Sequence, residues 1–262
     1  MTLSVLLAAL AALVSLPALA VESSAASPVT PSLKVAAASD LAFAFKEVAA
    51  VYQKKSGQKV ELVLGSTGQF ARQIAEGAPF DVFAAANVSF VDDVVRVGAC
   101  DGATQAIYGQ GRIALWSNKA LGLTAPADLR DLLDKRYVKI AIANPEHAPY
   151  GKAAQQAMSK LGLWEALKPK LVYGENIQQT LKYAQSGNVE VAVVAQSLAL
   201  ATPDGDYHLI DAALHKELNQ AIVVCGRDLA RQAAGRAFVA FVASPDGRTI
   251  MRRYGFVLPG ES

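Results

Sequence analysis

Residues 33–86 read LKVAAASDLAFAFKEVAAVYQKKSGQKVELVLGSTGQFARQIAEGAPFDVFAAA, and residues 138–195 read VKIAIANPEHAPYGKAAQQAMSKLGLWEALKPKLVYGENIQQTLKYAQSGNVEVAVVA. Both stretches place the same parts in the same order. Each opens on a short apolar run, LKVAAA or VKIAIA, passes a loop at SD or NPEHAPYG, and enters a helical run ending KKSG or SKLG. A second apolar run follows, then a polar helical stretch, STGQFARQIAEG or ENIQQTLKYAQSG, and a third apolar run, DVFAAA or EVAVVA. Gly65 stands opposite Gly174, Gln69 opposite Gln178 and Ala75 opposite Ala184, at a constant offset of 109. A repeat of this length marks two copies of one supersecondary unit.

The periodicity names that unit. Leu41, Phe45, Val48, Ala49 and Tyr52 follow the stripe of an amphipathic helix, and Ala154, Met158 and Leu161 form a shorter one. Phe70 with Ile74, and Ile177 with Leu181 and Ala184, do the same for the second helix of each half. The apolar runs between them are short and do not alternate, as strands covered on both faces do not. Each half is therefore a βαβαβ unit. The expected fold is α/β, with two similar lobes, each a parallel sheet wrapped by helices through right-handed crossovers. The chain should cross into the second lobe near RIALWSNKA (112–120) and return near LNQAIVVCGR (218–227), which makes a two-stranded hinge. Lobe 1 is then residues 33–112 plus 224–262, completed by a final helix in AAGRAFVAFVASPDGRTIMRRYG, and lobe 2 is residues 113–223.

Upstream of the repeat, residues 3–20 form an apolar run ending Ala18-Leu19-Ala20, the small-x-small pattern of an export signal whose removal leaves Val21 first. No Lys or Arg precedes that run. Residues 21–32, VESSAASPVTPS, read as a disordered leader. Export places the folded part in an oxidising compartment, where Cys100 and Cys225 could pair or stay separate, and the sequence leaves both open. With 262 residues, 52% apolar, 18% charged and a net charge of +2 without a basic block, the chain can bury a large core and offers no phosphate-driven nucleic-acid surface.

In open α/β sheets ligands sit beyond the C-terminal ends of the strands, where helices begin. Four such loops start at Ser39, at Ser66–Thr67, at Pro149–Tyr150 and at Asn176–Ile177. A helix N-terminus presents unpaired N–H donors and partial positive charge, so four converging ends would hold an anion without Lys or Arg. These loops carry no cation. Ser39 and Thr67 add hydroxyls on the first lobe, while the second offers mainly backbone donors around Tyr150 and Ile177.

At these residues the chain resembles the periplasmic molybdate-binding proteins of ABC-type molybdate transporters. The resemblance rests on AAASDLAFAF, GSTGQFARQIAEGAPFDVFAAA, IANPEHAPYGKAA, GENIQQTL and RRYGFVLP, and spans Leu33 to Pro259. It implies the two-lobed periplasmic binding protein fold, molybdate or tungstate as ligand, a membrane permease as partner, and a monomer. It also implies that Ser39 and Thr67 hydroxyls, with backbone N–H groups at Tyr150 and Ile177, hold the oxyanion. Some relatives add a tyrosine hydroxyl where this chain has Ala195, so that donor is absent here. Asp40 enters the site only through its backbone N–H, since a carboxylate would repel a dianion; its side chain is expected to turn away and cap a helix. Tyr150 is expected to wall the cleft, so Tyr150→Phe should matter little.

Other chemistry is not supported. His147, His208 and His215 lack partners at metal-ligand spacing, Ser39 and Thr67 lack a base, and Arg72, Lys152 and Lys182 read as solvated. Gly109 to Gly111 lack the third glycine of a dinucleotide loop. No cofactor, no coordinated cation and no catalysis are expected. The reading is hinge closure around the anion. A receptor for another tetrahedral oxyanion such as sulfate is the alternative, and a transferase on the same lobes is weaker, for want of a cleft cysteine or clustered arginines.

Overall fold

The structure, a computed structural model, describes residues 31–226 and 228–261. The expected signal at residues 1–20 and the leader up to residue 30 lie outside the described residues. The first βαβαβ unit runs β1 (Leu33–Ala38), α1 (Ala44–Ser56), β2 (Val60–Gly65), α2 (Thr67–Ala75) and β3 (Val82–Ala85), then α3 (Val88–Arg96) and β4 (Asp101–Gly111). The second contains β5 (Ile113–Asn118), β6 (Ile140–Ala143), α4 (Pro149–Lys160), α5 (Trp164–Leu167), β7 (Leu171–Gly174), α6 (Ile177–Gln185), β8 (Val191–Ala195), α7 (Gln196–Leu200) and β9 (Gly205–Leu209). β10 (Leu218–Val224), α8 (Leu229–Ala243) and α9 (Pro245–Arg253) follow.

Two five-stranded sheets result, ordered β2-β1-β3-β10-β4 and β7-β6-β8-β5-β9. Position for position they match, which is the structural form of the sequence repeat. The mixed α/β class and two similar lobes stand as expected, but the sheets are not wholly parallel. β2, β1 and β3 are parallel, as are β7, β6 and β8, while β10 and β5 run against their neighbours. Both exceptions are the strands that arrive from the other lobe rather than through a crossover helix. Only Arg112 separates β4, the edge strand of the first sheet, from β5 in the second.

β10 also moves a boundary. Residues 218–223, assigned by the sequence to lobe 2, pair with β3 and β4 in the first sheet, so the return crossing lies before Leu218. The single C-terminal helix expected from residue 233 onward is two. Pro245 cannot continue the ladder, and Ser244 caps α9 by accepting from Gly247 N–H at 3.3 Å.

Burial explains why the strands read as continuous apolar runs. In the first sheet Val35, Ala37, Val82, Ala84, Ile222 and Val224 face α1 and α8, where Phe45, Tyr52 and Phe238 meet edge-to-face. The alternate residues Ala36, Phe83, Ala85, Ala221 and Val223 face Phe70, Ile74, Val91 and Val94 of α2 and α3. Covered on both faces, such strands need no polar side. After α9 the chain returns to pin β4, with Gln110 and Val257 exchanging backbone hydrogen bonds of 2.7 and 3.1 Å.

Cys100 and Cys225 form a disulfide joining the start of β4 to the end of β10, which settles the pairing the sequence left open. It closes a loop of 125 residues. On the chain-entropy account a loop near this length contributes roughly 5 kcal/mol. Reduction, or Cys100→Ser with Cys225→Ser, should lower the melting temperature by about 10 °C for a chain of this size. Scanning calorimetry with and without reductant measures it.

Candidate functional site

The parallel strands of each lobe end at one edge, and the loops leaving those ends meet across the seam. They line a small cavity of about 10 Å³. Ser39 and Asp40 enter it after β1, Thr67 after β2, Tyr150 after β6 and Ile177 after β7, so all five residues expected at the site line one cavity. Among the described residues, no Lys or Arg lines it.

The repeated glycines explain how the second helix of each half begins at this edge. A Cβ on Gly65 would stand 2.8 Å from the Phe70 ring, and one on Gly174 would stand 2.6 Å from Thr180 Oγ1. Each glycine lets the first turn of α2 or α6 fold back over its own strand end. Gly151 does the same for α4, since a Cβ there would lie 2.0 Å from Ala143 O.

The donors follow from capping. Ser66 and Ala148 precede α2 and α4 without a side-chain cap, so the first N–H groups of those helices are not taken up locally. Pro149 begins α4, the one residue type that loses nothing there, and puts Tyr150 N–H next in line. Asn176 caps α6 through Gln179 N–H at 3.0 Å and leaves Ile177 N–H uncapped. The fourth end differs from expectation, because Ser39–Leu41 is a single 3-10 turn and α1 starts only at Ala44. That loop contributes a hydroxyl and a turn N–H rather than an α-helix dipole.

Both hydroxyls are held with their oxygens already accepting. Thr67 Oγ1 accepts from Ala86 N–H at 3.1 Å, and Ser39 Oγ accepts from Gln178 N–H of the other lobe at 3.4 Å. Both residues are buried, and neither hydroxyl proton has an acceptor among the described residues. Each is therefore left as a donor to the cavity.

Asp40 corrects the sequence reading. Its carboxylate caps no helix; Oδ2 accepts from Tyr150 Oη at 2.9 Å and from Gln220 Nε2 at 2.8 Å. Gln220 Oε1 in turn accepts from Tyr108 Oη at 2.7 Å. Asp40 Oδ1 is buried without a partner among the described residues. Burial pushes the Asp40 carboxyl up to about 6, against the hydrogen bonds from Gln220 and Tyr150, which lower it. Burial also pushes the phenols of Tyr108 and Tyr150 well above their ordinary value, with the Asp40 charge adding to it.

This network joins the lobes under the cavity, so Tyr150 is more than a wall. Its hydroxyl donates to Asp40 and accepts from Gln220 at 2.9 Å, and losing it strips a buried carboxylate of one of two donors. We therefore expect Tyr150→Phe to weaken anion capture by about tenfold, on the cost of about 1–3 kcal/mol for unsatisfying a buried group. Titration calorimetry checks it. Gly111 belongs to the same arrangement, since a Cβ there would stand 2.1 Å from Tyr150 Oη.

A second set of contacts closes the rim, and the sequence reading missed it. Ser66 Oγ lies 2.8 Å from both His147 Nδ1 and His147 O. Gly68 N–H donates to His147 O at 3.0 Å, and Gln69 Nε2 donates to Glu175 Oε2 at 2.9 Å. Every one of these pairs spans the lobes. His147 is thus a seam residue rather than a scattered surface histidine, while His208 lies exposed on β9. Arg72, Lys152 and Lys182 are exposed away from the cavity.

Residues 33–257 match the family described as bacterial extracellular solute-binding protein. The molybdate-binding protein ModA of Rhodobacter capsulatus is 36% identical over 215 residues, covering 81% of this chain and 82% of that one. ModA of Escherichia coli is 29% identical over 233 residues, covering 86% and 89%. The solved structure of the Azotobacter vinelandii periplasmic molybdate-binding protein superimposes with a TM-score of 0.80 at 26% identity, covering 87% of this chain and 99% of that one. The chain belongs to the bacterial extracellular solute-binding protein family, as a relative of its ModA molybdate-binding members.

Proposed function

We propose that this chain is an exported receptor that captures molybdate, and tungstate with it, between its lobes and delivers the closed form to the permease of an ABC importer. The observation that carries the reading is the donor set: two buried hydroxyls with free protons and the leading N–H groups of α2, α4 and α6, converging on one small cavity that, among the described residues, no Lys or Arg lines. Uncharged donors suit a fully deprotonated tetrahedral oxyanion, because each oxygen can collect several hydrogen bonds and no counter-charge is needed. Selection then rests on size and on the proton state of the anion rather than on net charge. The names of the relatives support molybdate as the anion. Export by residues 1–20 and a periplasmic location belong to the same reading, as does binding without catalysis.

Competition titration tests it. Molybdate should bind one per chain, tungstate should displace it, and sulfate or phosphate in hundredfold excess should not. Displacement by sulfate would assign the chain to the alternative oxyanion.

A further inference from the structure

Among the described residues Asp40 is the one acidic group lining the cavity, and its side chain takes no part in capture by the hydroxyl and N–H donors. Asp40 is buried and lines the cavity, and its Oδ2 accepts the hydrogen bonds from both Tyr150 and Gln220. Oδ1 has no partner. We propose that Asp40 takes up one proton on Oδ1 when the oxyanion dianion enters, so that capture is a coupled uptake of anion and proton and Asp40 becomes a donor facing the ligand.

The proton has one place to go. Oδ2 already accepts two donors, so protonation there would displace Tyr150 or Gln220, whereas Oδ1 is open. The proton removes like-charge repulsion at short range in a space with little water, and converts a bare acceptor into an O–H donor matching the rest of the cavity. The carboxyl is poised for it, since burial, working against the hydrogen bonds that lower it, has lifted its titration to about 6, and a dianion can only lift it further.

No neighbouring cation opposes this. The titratable groups facing Asp40 are the phenols of Tyr150 on α4 and Tyr108 on β4, both held neutral by burial. α7 presents the Ser197 hydroxyl, which donates to Asp40 O at 2.8 Å, and β10 presents the Gln220 amide. α6 brings only the apolar Ile177 and backbone N–H groups to the cavity, and β2 ends in Gly65. His147 and Glu175 lie at the rim beyond Ser66.

The proposal rests on the oxyanion reading, and calorimetry separates the two. Molybdate is titrated into the full exported chain at pH 7.5 in buffers of different ionisation enthalpy, which counts protons independently of affinity. Wild type should bind one molybdate and take up close to one proton. Its dissociation constant should rise about tenfold per pH unit above pH 6.5, the slope that one linked proton requires. Asp40→Asn keeps the shape and the Oδ2 hydrogen-bond pattern of a neutral group; it should bind molybdate with a near-flat pH profile and negligible proton uptake. Molybdate binding without proton uptake in wild type, or uptake that persists in Asp40→Asn, would overturn the coupling while leaving the oxyanion reading intact. Absence of molybdate binding would sink both. Tighter binding of hydrogen phosphate than of molybdate would also overturn it, since Asp40 would then be accepting the ligand's own proton.

Discussion

Thr67→Val is expected to weaken molybdate capture by about ten- to a hundredfold, and Ser39→Ala by a similar factor. Each removes one hydrogen bond to a charged acceptor, a contribution of roughly 1.5–3 kcal/mol. Thr67→Val has a second consequence, because Thr67 Oγ1 also accepts from Ala86 N–H and the variant leaves that buried donor bare. Some thermal stability should be lost with it. Thr67→Ser retains the hydroxyl and should recover both affinity and stability, which distinguishes a ligand contact from a packing defect. The two lobes should differ in sensitivity, because Tyr150 and Ile177 offer the cavity backbone N–H groups that no side-chain substitution removes. Full affinity in both hydroxyl variants, measured by calorimetry, would contradict the site.

Gly68→Ala should separate folding from closure. Gly68 is helical, with no positive φ, and alanine there favours α2 by about 1 kcal/mol. The new Cβ, however, would stand 2.7 Å from His147 O and 3.1 Å from His147 Cα, both backbone atoms of the other lobe. The clash disappears when the lobes part. The variant should therefore melt no lower than wild type without ligand, yet bind molybdate about ten- to a hundredfold more weakly, as the lost interlobe bond and the overlap together cost roughly 1.5–3 kcal/mol in the closed form. Small-angle scattering should show a larger open fraction in the presence of anion. An unchanged affinity would mean that the Ser66–Gly68–His147 seam is not part of the liganded state.

The fold was legible because its strongest signal is a repeat: Gly65 and Gly174 recur for one steric reason, and the apolar runs between helices are continuous because both faces of each strand are covered. The direction of β5 and β10 was not legible, since a strand covered on both faces carries the same apolar run whether its neighbours are parallel or antiparallel. Ser39, Thr67, Tyr150 and Ile177 could be placed at the cavity from loop position alone. What escaped was the set of partners that join the lobes. Gln220 carried a usable signal, a polar residue inside the apolar run LNQAIVVC that proves wholly buried. Asp40 was misread as a helix cap because its partners, Tyr150 and Gln220, lie 110 and 180 residues away, beyond any local pattern. His147 gave no pattern at all, as its contacts to Ser66 and Gly68 exist only once two loops are brought together.

If one interlobe cavity of uncharged donors holds the oxyanion, the metal atom should be found there. Anomalous diffraction at the molybdenum absorption edge, from crystals grown with molybdate, tests it most directly. One strong peak per chain is expected in the cavity, with oxygens in hydrogen-bonding range of Ser39 Oγ, Thr67 Oγ1 and the N–H groups of Tyr150 and Ile177. A peak held by lysine or arginine side chains elsewhere on the chain, with that cavity closed and unoccupied, would contradict it.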